Sequence, residues 1–484
     1  MPTPASHHSA DVIRSAIASR LLLLSLILLW RSLASPYDTS AGLDPRCLSD
    51  PSPSRSPRVQ PLLPRIGSAI ERSIVWDGVY YVRISQCGYE YEQTYAFFPL
   101  LPICISLLSR TVLSPLVSVI GYRAVLGLSG YLISNMAFVL ATLYFYRLSL
   151  IILKDPEASF RASMLFCFNP ASIFYSSIYS ESLYALFSVG GVFHLLSGFS
   201  NVAVVWLTLS GFSRSNGMLN AGYVLFQAMH RANEALFLRK KIWLAMQVLA
   251  VAVLRAICIF VPFMAFQIFG YYNLCHGQPA DEKRPWCNRN LAIMYNYVQS
   301  KYWGVGFLAY FQIKQLPNFL LASPILSLAL SSIISYARSR PRQFLSLGFL
   351  NETTEVSYSS VDEIQEHTVP KNCENQDIRH RKQIGKGVDP YMVKNVPEKK
   401  HYLSPLVLPF ILHLGFMAAT AFFVMHVQVA TRFLSASAPL YWFASYMIIS
   451  TSGSSGQWGY TIWAYSAAYI LLGSLLFSNF YPFT

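Results

Sequence analysis

Apolar residues run through this chain in long, nearly unbroken blocks, not in the one-sided stripes of a soluble helix. The blocks lie at about 95–118, 124–153, 160–178, 181–199, 202–229, 242–270, 317–337, 403–427, 435–450 and 460–478. Most approach the roughly 20 residues that a helix needs to cross a bilayer. An earlier block, Ile13 to Leu33, has a short apolar core, Leu21–Trp30, followed by the small residues Ser32-Leu-Ala-Ser. It looks like a secretory signal, but the many spans behind it favour an uncleaved first helix. Arg14, Arg20 and Arg31 would then snorkel to the two interfaces. The pattern predicts an all-α polytopic membrane protein with about nine to eleven transmembrane helices.

Two polar, turn-prone clusters interrupt the blocks, Asn169-Pro170 and Ser213-Arg214-Ser215-Asn216-Gly217. Broken backbone at membrane depth survives only inside protein or along a wet cavity. Interhelical turns and the walls of a site are equally good readings of them. Three longer polar stretches organise the rest. A first loop, 36–94, opens with Pro and Ser and nearly balances its acids and bases, which suits the non-cytoplasmic side. A second loop, 271–316, holds Cys275 and Cys287. The segment 338–401 is charged with both signs and poor in large apolar groups, which reads as a disordered, cytoplasmic insertion. Its sequon, Asn351-Glu-Thr, would be silent there. No solenoid-type repeat is present.

Composition agrees with the pattern. Of 484 residues, 54% are hydrophobic and 12% charged, about half the charged fraction of ordinary soluble domains. That excludes a soluble enzyme, a disordered scaffold and a coiled coil, and an outer-membrane barrel would alternate rather than run apolar. The net charge is 37 − 23 = +14, concentrated in short joints such as Arg239-Lys240-Lys241 and Arg338, Arg340 and Arg342. By the positive-inside rule these joints face the cytoplasm. No basic stripe on a folded soluble face supports nucleic-acid binding. Nor do the eight cysteines form a metal pattern. Cys275 and Cys287 would pair as a disulfide if their loop faces an oxidising compartment.

Acids beside apolar segments are few, so each carries weight. Wound as one helix, residues 70–84 put Ile70, Ile74, Tyr81 and Ile84 on a stripe that includes Asp77, with Glu71, Arg72, Arg83 and Gln86 opposite. A carboxylate on a buried face needs a partner or a task. Asp77 is therefore either a paired structural acid or a partly desolvated general base, and the second reading is favoured. Glu92 sits in an aromatic belt, Tyr89-Glu-Tyr-Glu-Gln-Thr-Tyr95, and is a candidate to orient a sugar hydroxyl or hold a basic group. Asn169, Tyr179 and Glu181 make a candidate polar wall, because ionisable groups within spans are usually functional. Arg214 is an intramembrane charge able to clamp a phosphate, or else to pair with Glu181. Gln428 and Arg432 share one helix face at i and i+4. No Walker loop, GxGxxG, HExxH or GxSxG motif is present at a sensible place.

These residues fall into blocks. Trp76-Asp77, Gly88-Tyr89, Tyr91-Glu92 and Ala96-Phe-Phe-Pro99 resemble the first lumenal loop of the PIG-V family of GPI mannosyltransferases. The likeness continues through Asn169-Pro-Ala-Ser, Tyr179-Ser-Glu-Ser, Ser213-Arg-Ser-Asn-Gly217, Pro285-Trp-Cys287, Pro317-Asn-Phe-Leu-Leu-Ala322, Gln428, Arg432 and Pro439-Leu-Tyr-Trp442. Pro-Trp-Cys and Pro-Asn-Phe-Leu resemble the fungal branch in particular. The segments 36–64 and 338–401 lie outside the likeness. It implies a GT-C-type glycosyltransferase, multi-pass in the endoplasmic reticulum membrane with a lumenal active site. It would take mannose from dolichyl-phosphate mannose and add the second mannose of the GPI precursor, α1,6-linked, with inversion. The resemblance also implies no metal or other cofactor and, in fungi, a small membrane partner subunit. On this reading Asp77 is the base, Arg214 and Arg432 steady the leaving phosphate, and Trp76, Glu92, Asn169, Tyr179, Glu181, Asn216 and Gln428 serve the substrates. A related GT-C enzyme with another lipid-linked acceptor, a multi-span lipid or solute transporter and a non-catalytic assembly subunit are the rival classes.

Overall fold

The computed structural model describes residues 4–37, 47–48, 61–276, 284–288, 293–350, 401–450, 457–481 and 483. The described residues form helices and no strand. Long apolar helices dominate: α1 (Pro4–Leu33), then, after α2 (Pro64–Arg72), α3 (Asp77–Cys87), α4 (Leu100–Arg110) and α5 (Val117–Ile120), comes α6 (Tyr122–Leu153). Shorter pieces follow as α7 (Pro156–Cys167), α8 (Ser172–Ser176), α9 (Glu181–Leu196), α10 (Ser200–Ser213) and α11 (Ala221–Asn233). Beyond them lie α12 (Ile242–Cys275), α13 (Met294–Trp303), α14 (Leu316–Ser339) and α15 (Pro341–Leu345). The chain closes with α16 (Leu408–Phe423), α17 (Ala430–Leu434), α18 (Ala438–Ser450) and α19 (Gln457–Ser478).

Six helices are long and apolar enough to cross a membrane, or seven if α4 and the bent segment Ser114–Ile120 count as one broken span. α9, α10 and the last apolar stretch before residue 450 are shorter apolar helices. The apolar block 160–178 is not one span: it splits into α7, a turn and α8, because Asn169 and Pro170 end the first helix. Small residues let the backbones close up, as expected where lipid supplies no hydrophobic drive between helices. A Cβ on Gly190 or Gly191 of α9 would meet Trp206 or Leu207 of α10 at 2.4 and 2.5 Å.

Helix polarity sorts the charges. α14 starts beside the main cavity with Asn318 in its first turn and carries Arg338 in its last. α11 carries Arg231 in its last turn, shortly before Arg239, Lys240 and Lys241, and His230 bonds the Leu347 carbonyl at 3.0 Å. The basic joints thus gather at the end of the bundle away from the cavity. The expected insertion, 338–401, lies mostly outside the described residues, as does its sequon at Asn351.

Two sequence expectations need correction. Residues 70–84 are not one helix: α2 ends at Arg72 and α3 begins at Asp77. The Ser73 carbonyl, which would have accepted the Asp77 N–H in a continuous helix, instead accepts the Tyr131 hydroxyl at 2.7 Å. The Asp77 N–H turns to the Tyr179 hydroxyl at 3.2 Å. Tertiary bonds have replaced the local one, and Trp76 takes a left-handed backbone (φ 53°) at the break. Arg83, expected opposite the Asp77 stripe, is 4% exposed and ion-paired with Glu90. Arg20 does not snorkel either: it is 3% exposed and buried in protein.

Candidate active site

A cavity of about 510 Å³ opens where the ends of several helices meet. Its floor is the start of α3. Trp76 fixes the turn by donating its indole N–H to the Phe477 carbonyl at 3.0 Å and packing on Phe480. Asp77 follows as the first residue of α3, with its side chain about 30% open and facing the cavity. The opposite wall comes from the turn before α9, with Tyr179, Ser180 and Glu181. Arg214 enters from the break after α10, and Arg432 from α17.

These four charges form one chain. Arg432 Nη1 donates to Asp77 Oδ2 at 3.2 Å, and its Nε reaches Glu181 Oε1 at 3.1 Å. Arg214 Nη1 bonds the same Glu181 oxygen. The Arg432 guanidinium also lies near the Phe174 and Tyr179 rings, 5.2 and 5.3 Å from their centroids, which adds a cation–π contribution. Glu181, 3% exposed, therefore spaces two cations whose outer faces remain open to the cavity. Burial pushes the Asp77 carboxyl above the usual carboxylate range; Arg432 opposes the rise and Glu181 adds to it. Burial lowers Arg432, but Glu181 and Asp77 outweigh it and keep the guanidinium firmly charged.

A second wall, without carboxylates or guanidiniums, faces this chain. Gln428 accepts from the Tyr310 hydroxyl, which in turn accepts from Asn318 Nδ2 at 2.8 Å. His426 stacks on Tyr310 at 4.6 Å and bonds the Trp303 carbonyl. Ser215 donates to the Tyr295 hydroxyl at 2.8 Å. Amides, hydroxyls and aromatic faces of this kind suit the hydroxyls and apolar faces of a sugar. Asn318 stands in the Pro317-Asn-Phe-Leu block without a role assigned from the sequence, and nothing local separates His426, Tyr295 and Trp303 from interfacial aromatics and turns.

The structure brings Trp76, Asp77, Tyr179, Glu181, Arg214, Gln428 and Arg432 to the cavity, and it places three other candidates elsewhere. Glu92 is 4% exposed and points away into a joint: it accepts from Trp286 Nε1 at 3.0 Å, Tyr302 at 2.6 Å and Lys301 at 3.3 Å. Burial would raise its carboxyl, but the Tyr302 and Trp286 hydrogen bonds and the Lys301 charge hold it below the usual range. Asn169 is fully buried and serves backbone, donating to the Phe166 carbonyl at 2.7 Å and accepting from the Ala171 N–H at 2.8 Å. Asn216 is buried beside the cavity wall without lining it.

Two disulfides tie the loops on this side of the bundle. Cys275 and Cys287 are bonded, which brings Trp286 to Glu92. Cys47 and Cys87 are bonded as well, a pairing the sequence alone did not suggest. The Leu48 N–H donates to Glu90 at 2.6 Å beside it. Cys47, Cys87 and Glu90 lie close enough to suggest a metal site. With both sulfurs in a disulfide and Glu90 paired with Arg83, this group does not fit one.

A family model described as Mannosyltransferase (PIG-V) matches residues 9–484. Over 459 residues the chain is 28% identical to GPI alpha-1,6-mannosyltransferase 2 of Homo sapiens, covering 90% of this chain and 84% of that protein. It is 28% identical over 445 residues to GPI mannosyltransferase 2 of Drosophila melanogaster, covering 84% and 86%. For GPI mannosyltransferase 2 of Gibberella zeae the identity is 32% over 322 residues, covering 64% of this chain and 70% of the relative.

Proposed function

The chain belongs to the PIG-V family of mannosyltransferases, and from that premise we propose that it adds the second, α1,6-linked mannose to the one-mannose GPI precursor. The donor in this reading is dolichyl-phosphate mannose, and the cavity faces the lumen of the endoplasmic reticulum. The observation that carries the chemistry is the bridge of Arg432 between Asp77 and Glu181 on the cavity wall.

Asp77 accepts the proton of the acceptor hydroxyl as that oxygen bonds to the donor's C1. The bond from C1 to the phosphate oxygen breaks on the opposite face, so configuration inverts. Dolichyl phosphate leaves with one more negative charge than it carried in the donor. Arg432 and Arg214 supply donors where that charge grows, in a site partly closed to water. This assigns the electrostatic work to guanidiniums instead of a metal ion. As the lipid phosphate approaches Arg432, it competes with Asp77 for the same guanidinium. Donor binding thereby frees the carboxylate to act as base. The wall of Gln428, Asn318 and His426 would receive the acceptor sugar.

Two features support the lumenal side. The basic joints lie at the opposite end of the bundle, and both disulfides lie on the cavity's side, as an oxidising compartment favours. A small membrane partner subunit belongs to the reading as an expectation from the family. The test is a lipid-intermediate assay in cells depleted of their own enzyme. Wild-type chain should clear a labelled one-mannose precursor, whereas Asp77→Asn should leave it accumulated at equal expression. Clearance by both versions would remove Asp77 as the base. Failure of both, even with the partner subunit co-expressed, would remove the assigned acceptor.

A further inference from the structure

Arg20 lies within the apolar run of α1 and has no carboxylate partner among the described residues. Nη1 donates to the Ser172 carbonyl at 3.0 Å and to Ser176 Oγ at 2.9 Å. Nη2 donates to the Cys167 carbonyl at 3.1 Å and to Ser172 Oγ at 3.3 Å. Its plane covers the Phe138 ring at 3.8 Å. All four of these hydrogen bonds fall on residues 167–176, the break between α7 and α9.

The break explains why a cation is wanted there. In a continuing helix the Cys167 carbonyl would accept the Ala171 N–H. That N–H is taken by Asn169 Oδ1, so the carbonyl at the end of α7 is orphaned at membrane depth. Arg20 supplies the missing donor. An isolated buried charge inside a span is costly and marks a function more often than not. The segment it grips carries one wall of the cavity. Phe174 lies beside the Arg432 guanidinium, and the Tyr175 hydroxyl pairs with Ser435 Oγ at 2.9 Å. Ser435 also bonds the Arg432 carbonyl at 2.6 Å. Tyr179 receives the Asp77 N–H, and Glu181 follows it.

We propose that Arg20 is a positioning residue for mannosyl transfer: its guanidinium pins the broken segment 167–176 so that Phe174, Tyr175, Tyr179 and Glu181 hold Arg432 and Asp77 in working geometry. This rests on the assignment of Asp77 and Arg432 above. Lysine keeps the charge but is a point donor; it lacks the planar fork that grips both carbonyls at once and the plane that covers Phe138.

The test compares wild type, Arg20→Lys and Ser176→Ala in membranes from cells lacking their own enzyme, with rates per molecule of inserted protein. Donor concentration is varied to separate kcat from KM. Arg20→Lys should lower kcat by about ten- to a hundredfold, the scale set by a small misplacement of reacting groups. Its KM for donor should stay within about twofold, because what is lost is transition-state geometry. Ser176→Ala, which deletes one bond of the grip, should move kcat the same way by less. Wild-type kcat in Arg20→Lys, whatever its abundance, would reduce Arg20 to a fold-stabilising role and overturn the proposal. If Arg20→Lys fails to accumulate, Ser176→Ala decides: a lowered kcat supports the proposal and an unchanged one overturns it. A wild-type chain that does not elongate the one-mannose precursor would instead sink the functional assignment.

Discussion

At the scale of single residues, the site is a short chain of charges in which each member sets the state of the next. Asp77→Asn should cost roughly 10²–10⁴-fold in turnover, the usual share of a general base, while the protein still inserts in normal amount. A kinetic comparison at matched expression checks it. Because burial raises the Asp77 carboxyl, the base form appears only as pH climbs through that raised value. Turnover should therefore fall on the acid side at a pH above the ordinary carboxylate range, and a pH–rate profile in permeabilised membranes measures it. Glu181→Gln removes the shared anion between Arg214 and Arg432. It should destabilise the fold by about 3–5 kcal/mol, as when one partner of a buried pair is lost, which thermal unfolding in detergent would show. The charged members of this chain were legible in the sequence because carboxylates and guanidiniums in apolar surroundings need a reason. Asn169 and Glu92 drew the same attention and serve other ends, one mending backbone and the other a loop joint. A polar residue's position relative to a cavity depends on tertiary turns that no local pattern encodes.

At the scale of elements, apolar blocks located the long helices well, because length and hydropathy alone decide what crosses a bilayer. The breaks were harder to read. Ser213-Arg-Ser-Asn-Gly217 announced itself by its composition, and a Cβ on Gly217 would lie 2.3 Å from the Ser210 carbonyl oxygen. Gly217→Ala should thus cost at least about 1–3 kcal/mol, the usual penalty of overpacking, and lower the melting temperature. The break at residues 73–76 gave no such signal, since it exists only because Tyr131 and Tyr179 take over the local hydrogen bonds. Opening the Cys275–Cys287 bridge with Cys287→Ser should loosen the Trp286–Glu92 joint. A stability loss of about 2–4 kcal/mol is expected, together with faster proteolysis near residue 287.

At the scale of the whole molecule, charge placement and helix polarity define two unlike ends, one basic and one carrying the cavity and the disulfides. A glycosylation sequon appended after residue 484 should be modified, since Phe483 lines the cavity, whereas one inserted between Arg239 and Lys241 should stay bare. The reverse pattern would turn the bundle over. The basic joints are legible in the sequence directly, but not that the first and last described helices meet: Trp30 of α1 bonds Ser474 of α19 at 3.0 Å, and Arg31 bonds the Ser478 carbonyl at 3.1 Å.

That meeting has a consequence in time. Trp76 emerges early from the ribosome, yet the carbonyl that fixes it belongs to Phe477, and Arg432 comes late as well. A chain threaded into the membrane only as far as α16 therefore holds Asp77 without Arg432 and without the Phe477 carbonyl that fixes Trp76. Catalytic competence waits until α17 and α19 have joined the bundle, so a product stalled before them is inert from the outset. A premature stop just before Phe477 should then be as damaging as one just after Asp77.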